Sequence, residues 1–202
     1  MNTFSIDYHT ILSECSANGL AETAAFLMEA LPPEWCAAYD EMVGYQTEIV
    51  RFEDHGFTFL FHQSSAEHPD WKLPDDAVED RVVSVFGLAQ RAAGKRDASR
   101  MKGFLGGGLE PTAEGSTDKG HFMGHAQGGG LDVNLFPQRT KINRGWSERG
   151  KVYRKMERYS SLYPGTFCFS RPIYADKTWR PRFVEFGLLT KQRTLWVERF
   201  EN

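Results

Sequence analysis

The chain has 202 residues, a net charge of -3, and 41% apolar and 13% aromatic residues, which suits one domain, or one compact domain with an extension. No stretch approaches the roughly 18 consecutive apolar residues that span a bilayer, and residues 1–9 carry neither a basic nor an apolar leader, so neither a membrane role nor a classical secretion signal is expected. Cys15, Cys36 and Cys168 are odd in number, far apart and without a Cys-x-x-Cys pair, which fits reduced thiols in a cytoplasmic chain rather than a disulfide framework or a zinc site.

Residues 6–31 read as a helix, with Ile11, Leu12, Leu20, Ala24, Leu27 and Leu31 at mostly helical spacing, an interruption at Asn18-Gly19 and a stop at Pro32-Pro33. Two strands follow, 45–52 and 57–62, joined at 53–56, with Phe57, Phe59 and Phe61 alternating. Residues 69–74 read as a loop. Asp75-Asp76 reads as the acidic start of a helix that continues over 78–93 through Val82, Val85, Phe86 and Leu88. Residues 94–115, with Gly106-Gly107-Gly108 at their centre, read as a hinge; Leu109-Glu110-Pro111 follows instead of a helix, which argues against a phosphate loop. Beyond it the pattern predicts a strand ending in 119–124, a turn at Gly128-Gly129-Gly130 and a short returning segment over 134–136. A helix from Asn143 to at least Tyr159 is broken at Pro164-Gly165, and strands close the chain at 166–174, 182–189 and 194–200.

Charge divides the chain. Residues 1–80 hold 16 acidic and 2 basic side chains, and residues 81–202 hold 11 acidic and 22 basic ones. The basic half suits a polyanionic partner. The acidic half faces away from it, binds another protein, covers a basic groove, or is ordinary solvated surface.

Within the basic half, Asp118-Lys119-Gly120-His121 is followed by Asn134-Leu135-Phe136-Pro137-Gln138, by Asn143-Arg144-Gly145-Trp146 and by Tyr153-Arg154-Lys155-Met156-Glu157. One imidazole, two carboxamides and a carboxylate thus come in order among arginines and lysines. A neutral His takes a proton from water near neutral pH, and a hard divalent ion taking oxygen ligands neutralises charge on a phosphodiester under attack. Residues 139–158 carry 8 basic and 2 acidic side chains, of which Arg139, Arg144 and Arg154 are candidate phosphate contacts. Trp146 and Tyr153 are candidates for stacking on bases or for the core.

These motifs resemble the DNA/RNA non-specific endonucleases, a branch of the ββα-metal (His-Me finger) nucleases, and most closely their bacterial toxin-like members, in which Gly-His is followed by a second His and a Gly pair, as in 121–129. The resemblance covers residues 100–190. It implies a ββα-metal core with additional antiparallel strands over 96–202; with the acidic region of helices and a β-hairpin read from the residues over 1–95, an α+β protein is expected. The resemblance further implies His121 as general base, Asn134 as a supporting group at the catalytic site, Asn143 as the ligand of Mg2+ (or Mn2+ or another divalent ion) and Glu157 as the helix carboxylate that hydrogen-bonds water on the metal. Lys119, His125, Arg139, Arg144 and Arg154 would contact substrate, and Asp118 would be structural. Lys119 stands where the family has Arg, which keeps the charge and loses the planar fork. More residues separate Asn143 from Glu157 than in the family pattern, which makes Glu148 a rival carboxylate.

The implied activity is metal-dependent hydrolysis of DNA and/or RNA with little sequence preference, leaving a 5′-phosphate. The implied setting is a bacterial toxin or defence effector, with an inhibitor (immunity) protein as partner and export by a dedicated secretion machine. Two alternatives remain at this point: a nucleic-acid- or protein-binding module with a vestigial site, and a zinc hydrolase using His121 and His125, which are spaced i,i+4 but lack the Glu of His-Glu-x-x-His and an obvious third ligand.

Overall fold

A computed structural model describes residues 4–68, 77–92, 94–95, 97–103 and 115–202. The expected loop at 69–74, the acidic start at Asp75-Asp76 and the glycine run Gly106-Gly107-Gly108 lie outside these residues.

The protein is α+β. Strands β1 (Ile49–Asp54), β2 (Phe57–His62), β3 (Arg81–Leu88), β6 (Phe167–Ile173), β7 (Phe183–Leu189) and β8 (Leu195–Glu201) form an antiparallel sheet in the order β1-β2-β3-β6-β7-β8. Strands β4 (Thr117–His121) and β5 (Leu135–Arg139) form a separate antiparallel pair. The helices are α1 (Tyr8–Ser13), α2 (Leu20–Val43), α3 (Ala98–Gly103), α4 (Thr140–Asn143) and α5 (Glu148–Leu162). The three cysteines are free thiols. Among the described residues no helix is long and apolar enough to cross a membrane.

The two-residue link between β1 and β2 follows from its chemistry. Asp54 pairs with Phe57, and the intervening His55 and Gly56 have φ of 50° and 75°, the left-handed pair that a tight hairpin turn requires. Strand partners point to the same side of a sheet, so Phe86 and Phe169, which pair across β3 and β6, share a face. Trp35 of α2 packs on both, with ring centroids 5.4 and 5.0 Å away, and Tyr8 of α1 joins Phe169 at 5.2 Å. Ser170 and Phe186 pair on the opposite face. There Tyr153 of α5 meets Phe186 and Phe200 at 5.6 and 5.1 Å, and the Ser170 hydroxyl donates to the carbonyl of Phe122, just past β4. The sheet is therefore a middle layer, with α1 and α2 on one side and β4, β5 and α5 on the other. Strands from both sides of residue 95 share it.

Three expectations are corrected. Residues 81–88 form a strand, not part of a helix over 78–93. A short run such as Val82-Val83-Ser84-Val85-Phe86 does not distinguish a buried strand from a helix by periodicity, and here both flanks are paired and the strand is buried up to Leu88. The expected interruption at Asn18-Gly19 does separate α1 from α2, but the expected stop at Pro32-Pro33 does not occur, and α2 runs through both prolines. Each proline costs a helix about 3 kcal/mol, but full burial of a large apolar side chain returns about 1.5–3 kcal/mol, and Leu27, Leu31, Trp35 and Tyr39 are all buried along α2. Finally, the helix expected from Asn143 begins at Glu148. Ser147 caps it, its hydroxyl accepting from the Gly150 N–H at 3.0 Å, and Asn143 ends the separate turn α4.

Candidate active site

Strands β4 and β5 pair from Thr117↔Arg139 to His121↔Leu135, and the loop between them is fixed from within. Phe122 stacks on Phe136 at 4.4 Å. The Asn134 carboxamide donates to the carbonyls of Met123 and Gly130 at 2.8 and 2.9 Å and accepts from the Met123 N–H at 2.9 Å. That uses both its donors and its oxygen on backbone. Gly129 permits the closure, since a Cβ there would sit 1.9 Å from the Met123 carbonyl oxygen. Gln127 ties the loop outward. Its Oε1 accepts from the Gly124 N–H at 2.7 Å, its Nε2 donates to the Ser160 hydroxyl of α5, and its carbonyl accepts from the Gln90 N–H at 2.7 Å.

This scaffold delivers His121, buried at the end of β4, to an open cavity of about 730 Å³ shared with Asn143 and Glu157. The Tyr153 hydroxyl donates to the His121 carbonyl at 3.3 Å, and complete burial pushes the Tyr153 phenol pKa up. Tyr153 is therefore a neutral core group, not a stacking platform.

Asn143 is placed by Asp118. Its Nδ2 donates to Asp118 Oδ2 at 3.1 Å, and the Arg144 guanidinium donates to both carboxylate oxygens at 2.8 and 2.7 Å. Burial raises the Asp118 pKa, but the hydrogen bonds from Arg144 and Asn143 outweigh it and hold the carboxyl below its ordinary value. With its amine side engaged, Asn143 has its carboxamide oxygen to offer. Asp118, expected to be structural, is held between Asn143 and Arg144 and is not among the residues lining the cavity.

The two rival carboxylates separate cleanly. Glu157 lines the cavity with its side chain 15% exposed, accepting from Arg154 at 2.6 Å. Gly124 lets it approach, since a Cβ there would lie 2.9 Å from Glu157 Oε1. Glu148 is 88% exposed, pairs with Lys151 in the first turn of α5, and does not line the cavity.

Of the expected substrate contacts, Lys119, His125, Arg144 and Arg154 line the cavity. Lys119 Nζ also donates to the Met101 carbonyl at 3.0 Å, and His125 Nε2 lies 3.1 Å from the Gly94 carbonyl oxygen. Arg139 does not line the cavity: its N–H donates to Asn202 Oδ1 at 2.7 Å and its guanidinium lies 3.5 Å from the Glu201 carboxylate, so the C-terminal strand claims it. Asn134, expected at the catalytic site, is wholly engaged in holding the loop and lies outside the cavity lining. Arg158, which the charge pattern alone does not single out, joins the cavity lining. It follows Arg154 by four residues, the spacing that puts two side chains on one helix face, and both line the cavity.

Lys119, Arg144, Arg154 and Arg158 make the cavity walls cationic. Among the described lining residues, the Asn143 carboxamide and the Glu157 carboxylate carry oxygens of the kind that a hard divalent ion retaining several waters takes. His121 and His125 do not share one helix face, as the i,i+4 spacing of a helical zinc pair requires. His121 ends a strand while His125 begins a 3-10 turn, and among the described residues no group of three or more His, Cys, Asp or Glu side chains could hold a metal. In comparison with known proteins, no family model and no curated protein matches the chain.

Proposed function

We propose that the chain is a metal-dependent, sequence-non-specific endonuclease of DNA and/or RNA, with a ββα-metal core made of β4, β5 and the following helices. The observation that carries this reading is the convergence of His121, Asn143 and Glu157, from a strand, a helical turn and a long helix, on one cation-lined cavity.

In this reading Lys119, Arg144, Arg154 and Arg158 hold the phosphates flanking the reactive one, contacts that position a backbone without reading bases. His121 accepts the proton of the attacking water as its oxygen adds to phosphorus. The P–O bond to the 3′-oxygen breaks, and that oxygen leaves with a proton from solvent, giving a 5′-phosphate and a 3′-hydroxyl. Asn143 supplies the protein oxygen for a magnesium ion, and Glu157 accepts hydrogen bonds from water in the pocket. When bound, the ion supplies Lewis-acid stabilisation of the charge building on the phosphate and leaving oxygen. Asp118 works through Asn143 and Arg144 by fixing both.

A nuclease of low specificity suits a toxin or defence effector, and its own cell needs an inhibitor protein. The test of the activity is incubation of the purified chain with plasmid DNA and with structured RNA, with magnesium or chelator. Magnesium-dependent nicking of either polymer is expected. Binding without cleavage at any magnesium concentration would convert the reading to that of a binding module.

A further inference from the structure

Trp146 stands in the link between α4 and α5 and is 65% exposed. It is nevertheless held in place. Gly145 turns the chain with φ of 71°, and the Trp146 N–H donates to the Lys141 carbonyl at 3.0 Å. The Arg144 guanidinium carbon lies 4.9 Å from the ring centroid, and Asp118 grips that guanidinium through both oxygens. The carboxylate that orients Asn143 therefore also fixes, through Arg144, the ring beside it. Arg144 lines the cavity and Trp146 stands one side chain beyond it. A large indole left in water at the rim of a cationic cavity, with a cation against it and a rigid backbone beneath, is the arrangement on which a nucleobase stacks.

We infer that Trp146 is a stacking platform for one unpaired base of the strand whose phosphate enters the cavity, and that it makes the protein favour single-stranded over duplex nucleic acid. The inference rests on the nuclease reading for the identity of the ligand. In a duplex each base face is covered by its neighbours, so only an unpaired base offers one to the ring; phosphate contacts are common to both forms. Stacking on one aromatic side chain changes affinity by about 5- to 150-fold.

The test is equilibrium binding in chelator, which separates binding from cleavage, using a dT12 strand, a 12-mer of abasic sugar-phosphate and a dT12·dA12 duplex. Wild type is expected to bind dT12 at least about 5-fold more tightly than the abasic strand. Trp146→Ala should erase that difference while changing duplex binding less than twofold, and Trp146→Phe should restore most of it. The abasic strand probes the unaltered protein, so the outcome does not hinge on a variant's folding. Equal binding of dT12 and the abasic strand by wild type, or equal losses on strand and duplex in Trp146→Ala, would overturn the platform. Cleavage is scored separately with magnesium: cutting without a Trp146 effect removes the platform and keeps the nuclease, and base-dependent binding without cutting does the reverse.

Discussion

Asn143 and Asp118 lie on different elements, α4 and β4, and are joined by a 3.1 Å hydrogen bond from Asn143 Nδ2 to Asp118 Oδ2. That bond turns a flexible carboxamide into a fixed one, and it requires Asp118 to be ionised to hold Arg144 at the same time. Asp118→Ala should therefore lower cleavage by about 10- to 100-fold, the usual cost of losing a group that orients a ligand, with Asp118→Asn nearly as damaging. The Asp118 pKa lies below its ordinary value, so the stability this group contributes is present above the unfolded carboxylate value near 3.9 and is lost only as pH falls through the lower folded value. The pH–rate profiles of wild type and Asp118→Ala should accordingly have the same shape above about pH 5, whatever the difference in absolute rate.

Glu157 and Glu148 give opposite expectations. Glu148→Ala removes an exposed partner of Lys151 and should leave cleavage within about twofold and stability within about 0.5 kcal/mol. Glu157→Gln should cost cleavage about 10-fold or more while the protein stays folded by circular dichroism. Comparable rates for the two variants would place the functional carboxylate elsewhere.

Asn134→Ala should fail by a different route. It strands the Met123 N–H and the carbonyls of Met123 and Gly130, and each lost partner for a buried polar group costs about 1–3 kcal/mol. A fall in denaturation midpoint should accompany the loss of activity. Unchanged stability would contradict the clamp assigned to this residue.

A separate buried network sets acid stability. His62 is fully buried, bonded to the Tyr39 hydroxyl at 2.8 Å through Nδ1 and to Glu67 at 2.9 Å through Nε2, and Arg81 Nε donates to the same Tyr39 oxygen at 2.8 Å. Burial drives the His62 pKa down despite Glu67. Between the unfolded value near 6.5 and the lower folded value, the unfolded chain binds the extra proton, so stability is full above about 6.5, declines as pH falls through that window and levels off below it. Urea midpoints taken at several pH values should show this slope in the wild type and a flatter profile in His62→Gln.

Local spacing carried much of the site and less of the scaffold. The Asp118 to His121 stretch, the Asn143 and Glu157 positions and the cationic run were readable because each depends on residue identities close in sequence. The preference for Glu157 over Glu148 agrees with which carboxylate lines the cavity. Arg139 was indistinguishable from Arg144 in sequence, because what separates them is Glu201 and Asn202, some 60 residues away along the chain and adjacent through the C-terminal strand. Pairing with β2 and β6, not periodicity, makes Val82 to Phe86 a strand, and local sequence does not display that pairing. At Pro32-Pro33 the local penalty is visible in sequence, while the burial along α2 that offsets it is not. Trp146 and Tyr153 looked alike as aromatic candidates, and burial alone divides them.

In the proposed reaction His121 activates water in a magnesium-dependent nuclease. The most direct measurement is the initial rate of plasmid and RNA cleavage by wild type and His121→Ala, at equal nucleic-acid binding and with matched circular dichroism spectra, in magnesium and in chelator. Magnesium-dependent cleavage by wild type is expected, with a loss of about 10²- to 10⁴-fold in the variant and none by either in chelator. Cleavage by His121→Ala at the wild-type rate, or no cleavage by a wild type that binds both polymers, would contradict the proposed reaction.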